Sequence, residues 1–351
     1  MKNNYRNLIA YLLIGFLLVP SMVAFAGNKD RSGEAGASEL LINPWAKSSG
    51  WGGANVASVR GLEASFVNVA GVAFTKGTQI GLTHTQWLVG TDVKVIAAGF
   101  SQKVTETGRL ALSIMNMSFG SVDITTPDNP GGSIGTYSPN YFIIGLSYAN
   151  IFSNSIYGGM TIKLISETIS DMSATGFAID AGIQYVTGVK ENMKFGITLK
   201  NWGTSMSYGG DGLSIRTVLP GQDDQFTVEQ RSASYELPSQ LLIGGAYDIL
   251  FNGDYTLTVS GTFVSNAFSK DQIVGGLEFS FKNLLTIRGG YTYEADITTS
   301  KRTTVYTGPS FGASINIPFG KEKASGVAID YSYRDTNPWK GIHSIGIVLD
   351  M

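Results

Sequence analysis

From Gly77 to the C-terminus the sequence divides into segments of about ten residues in which apolar side chains alternate with small or polar ones. A period of two belongs to extended strands whose two faces meet different surroundings. Tyr255, Leu257, Val259, Gly261 and Phe263 share one face of such a segment, and Thr256, Thr258, Ser260 and Thr262 share the other. The pattern recurs in Leu285, Ile287, Gly289, Tyr291 and Tyr293, and in Phe177, Ile179, Ala181, Ile183 and Tyr185. Beyond the first 26 residues no stretch reaches the ~18–20 uninterrupted apolar residues that a membrane helix requires. Any contact with lipid must therefore be made by strands.

Fourteen strands are expected, at 77–89, 92–101, 108–119, 141–150, 155–166, 176–186, 193–202, 240–249, 255–264, 271–281, 284–293, 308–318, 325–333 and 342–351. The even-numbered connections are short. The odd-numbered ones are mostly longer, and the longest (120–140, 203–239 and 294–307) fall on one rim. Barrels of the outer membrane have this asymmetry, with short periplasmic turns and long outer loops. A soluble sandwich or propeller would also show alternation, but gives no reason for two unlike rims. Trp87, Phe119, Tyr141, Trp202, Tyr293 and Tyr333 stand near strand ends, where interfacial girdles are expected. In the last segment His343, Ile345, Ile347, Leu349 and Met351 share a face, as in a closing strand, although Met351 stands where such strands usually end on an aromatic residue. The reading is all-β: a 14-stranded antiparallel transmembrane β-barrel.

The start of the chain fixes its route. Lys2 and Arg6, the apolar run Leu8 to Val19 and the small-x-small site Ala24-Phe25-Ala26 form an export signal, so residues 1–26 are expected to be a cleaved signal peptide. A membrane anchor is the alternative reading, with an apolar core that is short for one. The remainder carries 23 Lys and Arg against 27 Asp and Glu, which gives no reason to expect a nucleic-acid partner. Without cysteine the chain forms no disulfide, thiolate metal site or lipid-modified cysteine.

Between the signal and the first strand lie residues that do not alternate, including Gly50-Trp51-Gly52-Gly53-Ala54-Asn55-Val56-Ala57 and Phe66-Val67-Asn68-Val69-Ala70-Gly71-Val72-Ala73. Together with Thr83-His84-Thr85-Gln86-Trp87 and the loop Thr126 to Gly132, they resemble the PorV/PorQ family, related to the FadL-type transporters. Two departures stand out: Val69 replaces the proline of the family's N-P-A-G run, and Arg60-Gly61-Leu62-Glu63 replaces an acidic pair. The resemblance implies a fourteen-stranded barrel with an N-terminal hatch in its lumen. Residues 27–76 would be that hatch, with Gly50, Gly52, Gly53, Ala54, Asn68, Ala70 and Gly71 its motif, and 77–351 the barrel.

Catalytic patterns are absent. Neither a G-x-S-x-G elbow nor an H-E-x-x-H pair occurs, and His84 and His343 each sit within an expected strand with no second ligand at metal spacing. Gly52-Gly53 and Gly131-Gly132 belong to no phosphate loop. The chain is expected to be a non-enzyme with no cofactor and no metal. If the apolar faces meet lipid, Asp180, Lys194, Lys200, Glu278, Arg288, Asp330 and Asp350 point into the lumen, where charge is tolerated. Their mixed signs favour a cross-braced, plugged interior over a wide diffusion pore.

The PorV-like resemblance implies an accessory or shuttle role in type IX secretion. Its partners would be translocon or attachment subunits and secreted cargo, beside outer-membrane lipid. Asp128, Asn129, Tyr208, Asp223 and Asp224 in the long loops are the candidate docking residues. The FadL-like alternative is a transporter of a hydrophobic ligand, which needs an apolar pocket; the many Thr, Ser, Gly and charged inward positions count against a large one. A structural scaffold subunit is the third reading.

Overall fold

A computed structural model describes residues 31–218, 221, 224–251, 254–319 and 325–351; the expected signal peptide and Asp223 lie outside the described residues. Fourteen strands follow in chain order: β1 (Thr78–Gln86), β2 (Lys94–Lys103), β3 (Gly108–Ser118), β4 (Asn140–Ile151), β5 (Ile156–Ile169), β6 (Met172–Thr187), β7 (Met193–Gly203), β8 (Gln240–Phe251), β9 (Tyr255–Asn266), β10 (Gln272–Phe281), β11 (Leu285–Glu294), β12 (Tyr306–Phe319), β13 (Ser325–Thr336) and β14 (Ile342–Asp350). Each pairs antiparallel with its sequence neighbours. The ring closes between β1 and β14, in register from Gln79 opposite Asp350 to Gln86 opposite His343.

All fourteen expected segments are strands, and the differences lie at their ends. β5 and β6 run longer than the alternation foretells and meet in a two-residue turn, Ser170-Asp171, with Ser170 at φ 51°. β1 stops at Gln86, because Leu88 (φ 52°) and Gly90 (φ 107°) turn the chain before Trp87 to Val89 can pair as strand. β12 begins two residues early, at Tyr306, and its register slips between Tyr306 and Ser310. The two-rim asymmetry is present. One rim carries short turns, such as Lys282-Asn283 with successive φ of 50° and 54°, which match the right-handed twist of paired strands. The other carries the long loops and two small hairpins, Val122–Asp123 with Thr136–Tyr137 and Ser214–Val218 with Gln225–Glu229.

The burial pattern is inverted relative to a soluble sandwich. Ile197, Ile287 and Ile347 are 50–56% exposed on the outer face, while Thr198, Thr262 and Ser344 are at most 3% exposed on the inner one. An apolar belt around a closed barrel is the surface lipid would cover. Trp202 and Tyr293 belong to that outer surface. Phe119 and Tyr141 do not: their rings meet at 4.8 Å and pack against the buried core at the long-loop rim. Inward parity on β4 places Tyr141 with buried Ile143, and strand-end position alone did not reveal that.

Inside the ring runs the N-terminal segment, in one- and two-turn pieces of helix at Ser38–Leu41, Ala46–Ser49, Ala64–Val67 and Val69–Phe74. None is long enough to be stable in isolation. Tertiary packing holds them: Ala54, Val56, Ala64, Ala70 and Val72 are fully buried.

Candidate functional site: the filled lumen

The lumen is shaped by inward side chains short enough to leave room for a second layer of chain. Where the N-terminal segment passes closest, the wall offers glycine. A Cβ on Gly312 would come within 3.2 Å of the Gly50 Cα, one on Gly196 within 2.6 Å of the Val56 oxygen, and one on Gly276 within 2.8 Å of the Trp51 ring. Gly182 faces the Asn68 amide in the same way. Gly52 has φ 68°, a backbone conformation that a residue with a Cβ rarely adopts.

Buried backbone groups of a segment with so little regular structure must find partners elsewhere. The wall provides them. Ser260 and Thr262 on β9 donate to the Ala54 carbonyl at 2.5 and 3.0 Å, and Thr292 on β11 donates to Gly52 at 3.2 Å. On β6, the Gln184 amide donates to Val56 and Val59, both at 3.1 Å. Asn68 acts twice: its oxygen accepts from Ala70 N at 3.2 Å, capping the turn Val69–Phe74, and its amide donates to Val56 and to Ile183 of β6 at 3.1 Å each. The segment is thus tied to opposite sides of the barrel. At the short-turn rim, Gln79 accepts from Leu62 N at 2.6 Å and donates to Asp350 at 2.7 Å, while Arg109 donates to the Thr75 carbonyl at 2.5 Å. Glu63, in the run that departs from the family's acidic pair, accepts from Ser48 at 2.6 Å and lies 3.7 Å from Lys47. Burial pushes its carboxyl above the usual value, against the pull of Lys47.

The wall is braced by cross-strand ion pairs. Lys163 on β5 meets Asp180 on β6 at 2.5 Å, Lys194 on β7 meets Asp248 on β8 at 2.5 Å, and Glu278 on β10 meets Arg288 on β11 at 2.8 Å. Arg288 also donates to Ser314 at 2.7 Å, and Ser314 donates to Asp330. The structure therefore places Asp180, Lys194, Lys200, Glu278, Arg288, Asp330 and Asp350 on the inner side, and gathers Glu278, Arg288 and Asp330 into one chain of contacts. Lys163 and Asp248 complete two of the pairs. The parity that selected the others would have selected Lys163, which lies between outward Ile162 and Leu164.

Gly50, Gly52, Gly53, Ala54, Asn68, Ala70 and Gly71 all lie in the luminal segment, whereas the loop residues separate. Asp128 and Asn129 sit in an exposed turn, and Asp224 is exposed. Tyr208 does not belong with them: it points into the mouth of the barrel, where its hydroxyl donates to Glu167 on β5. The neighbouring Glu39 is marked by no alternation or motif, whereas Glu167 shares the inward parity of Lys163, one residue beyond the expected end of that strand.

Between the segment and the wall, toward the long-loop rim, lies a cavity of about 240 Å³. Leu41, Phe66 and Val67 of the segment and Leu242, Val264 and Val274 of β8 to β10 give it apolar patches, and Asn43, Ser48 and Ser49 of the segment with Lys200, Glu294 and Arg334 of the wall are among its polar lining. The polar inward positions expected to count against a large apolar pocket are present in this lining, among them Gln240, Asn266, Gln272, Thr292 and Glu294. Strands β8, β9 and β10 each contribute one inward apolar residue, Leu242, Val264 or Val274, beside a polar one at the long-loop end, Gln240, Asn266 or Gln272. A second space of about 80 Å³ at the short-turn end is bounded by Trp45, Lys47, Glu63, Asp330 and Asp350.

No protein-family model matches the sequence, and no curated protein matches it. Solved structures do. The CymD monoaromatic hydrocarbon channel aligns with TM-score 0.57 at 11% identity, covering 89% of this chain and 98% of that one. The toluene transporter TbuX of Ralstonia pickettii gives 0.55 at 12% over 88% and 97%, and a FadL homologue of Pseudomonas aeruginosa gives 0.51 at 13% over 86% and 98%. At such identities the likeness is one of fold, and the PorV/PorQ assignment rests on the sequence motifs alone. The chain is a closed, fourteen-stranded antiparallel barrel, similar in fold to these outer-membrane hydrocarbon transporters and to the FadL homologue.

Proposed function

We propose that the protein is an outer-membrane transporter for small hydrophobic compounds, with its long loops facing outward and the N-terminal segment as its hatch. The observation that carries this reading is the cavity at the long-loop end, in which Leu41, Phe66 and Val67 of the segment and Leu242, Val264 and Val274 of the wall form apolar patches amid a mostly polar lining. Its volume of about 240 Å³ exceeds the roughly 150 Å³ of an engineered apolar cavity that holds benzene, and falls below the roughly 300–1,000 Å³ of drug-sized sites. A single-ring or short-chain compound fits that interval. The aligned structures are described as a monoaromatic hydrocarbon channel and a toluene transporter, which agrees with the size. The segment excludes a standing aqueous pore, so passage requires it to shift.

Leu242→Trp would fill the cavity from the wall without touching the hydrogen bonds of the segment. In cells lacking other such transporters, the protein should accelerate toluene uptake, and Leu242→Trp should return uptake to the empty-vector rate while the barrel stays heat-modifiable. Wild-type uptake no faster than the empty vector would refute the reading. The secretion role implied by the motif resemblance has its own surface, the exposed hairpin Ser214–Val218 with Gln225–Glu229. Replacing 214–229 with a short Gly-Ser linker should leave toluene uptake intact. Loss of surface-protein delivery with unchanged uptake would favour secretion instead.

A further inference from the structure

The mouth of the lumen holds a buried carboxyl pair for which transport has no need. Glu39, in the turn Ser38–Leu41, is 2% exposed, and among the described residues neither of its carboxyl oxygens has a hydrogen-bond donor. Its neighbouring carboxyl is that of Glu167 of β5, 3% exposed. Glu167 Oε2 accepts from the Tyr235 hydroxyl at 3.0 Å and from the Tyr208 hydroxyl, which leaves Oε1 without a donor. Tyr141 of β4 faces the same pair. Among the described residues no cation pairs with either carboxyl; Lys163, four residues back along β5, is held by Asp180 at 2.5 Å and Asn201 at 2.9 Å.

Two ionised carboxylates buried together without a cation repel each other and leave acceptors unsatisfied. A single shared proton removes both costs by forming an O–H···O⁻ bond between them. Burial and then the neighbouring Glu167 push Glu39 up to about 8. Burial and the contact with Glu167 also push Tyr208 and Tyr235 upward, so both remain donors through that range.

The pair sits where three parts of the chain meet. Gly36 N donates to Glu236 at 3.1 Å, Met206 and Tyr235 exchange backbone bonds of 2.9 Å, and Gly36 abuts the Tyr235 ring. The Asn201 amide of β7 donates to Leu40 at 3.5 Å and to Pro238 at 3.2 Å. On the surface Arg31 bridges Glu34 and Glu236, both at 2.8 Å.

We propose that Glu39 and Glu167 share one proton and form a pH-sensitive latch, fastening the strip 31–41 and the base of the 204–239 loop across the mouth of the barrel. Release of that proton to solvent leaves two facing negative charges and loosens strip and loop together. Because the folded value of Glu39 lies above its ordinary 4.5, the stabilisation is complete below about pH 4.5 and is lost as pH rises through about 8. The latch is independent of what the barrel carries, so its failure would leave the transport reading standing.

Hydrogen exchange on the full protein in micelles, corrected for intrinsic rates, tests it. Protection of amides in 35–41 and 204–210 should fall about tenfold between about pH 6 and about pH 9, with the mid-barrel strands unchanged. Glu39→Gln, which keeps a donor in place of the proton, should abolish that response, and Glu167→Gln should do the same if the first variant fails to assemble. Infrared spectra of the wild type provide a readout free of substitution: a protonated-carboxyl C=O band present at neutral pH should disappear on titration through about pH 8. A flat wild-type response, a response that persists in Glu39→Gln, or protection restored at high pH by millimolar Ca²⁺ would overturn the latch, the last by assigning the pair to a cation.

Discussion

Lys163 shows what a single side chain contributes to a wall of this kind. It is 1% exposed, its ammonium bridges Asp180 and Asn201, and its stem passes Phe66 of the luminal segment, with the ammonium 5.6 Å from the ring centroid. Removing one member of a buried pair strands the other charge. Lys163→Met should therefore cost about 3–5 kcal/mol in urea unfolding from micelles, and adding Asp180→Asn should recover much of it. Equal stability of Lys163→Met and the wild type would mean that water reaches Asp180. Glycine makes a sharper contrast. A Cβ at Gly182 collides with the Asn68 amide, which is pinned by bonds to Val56 and Ile183, whereas one at Gly275 meets nothing within 4 Å. Gly182→Ala should raise hydrogen exchange in residues 54–72, and Gly275→Ala should leave it unchanged.

At the level of elements, the outward rows of the strands face a solvent of low polarity. Val259, at mid-strand in β9, is 42% exposed on that face. Val259→Arg should lower folding stability by about 2–4 kcal/mol in bilayers, while Val259→Ile should be near neutral. Tolerance of arginine there would place this part of β9 outside the membrane. The same alternation made the strands legible in the sequence, since each strand face has one environment along its length. It could not reveal the fusion of β5 and β6 into a tight hairpin, because Ser170 takes a left-handed conformation that residue type alone does not demand. Nor could it place Tyr208 or Glu39. Their positions depend on contacts between a luminal turn, a wall strand and a loop far apart in sequence, and none of those segments repeats with a period. The N-terminal motifs were visible as a resemblance; the close approach of Asn68 to Gly182, Val56 to Gly196, Trp51 to Gly276 and Gly50 to Gly312 of the wall required the fold.

For the molecule as a whole, the barrel and its filling are complementary surfaces: glycines and hydroxyls on the wall, bare backbone and small side chains on the segment. Such a joint fixes the segment inside the ring through many weak contacts, as the proposed hatch requires. The chain has no cysteine, so an introduced pair would be its only thiols. A Cβ at Gly346 on β14 would lie 3.3 Å from that of Ala46 in the segment, near the about 3.5–4.5 Å of a disulfide. The decisive measurement is toluene uptake by cells carrying Ala46→Cys with Gly346→Cys, before and after reduction, with the cross-link verified by mass spectrometry. The proposed hatch predicts uptake at the empty-vector rate when the pair is oxidised and recovery of wild-type uptake on reduction; equal, wild-type uptake in both states would contradict it.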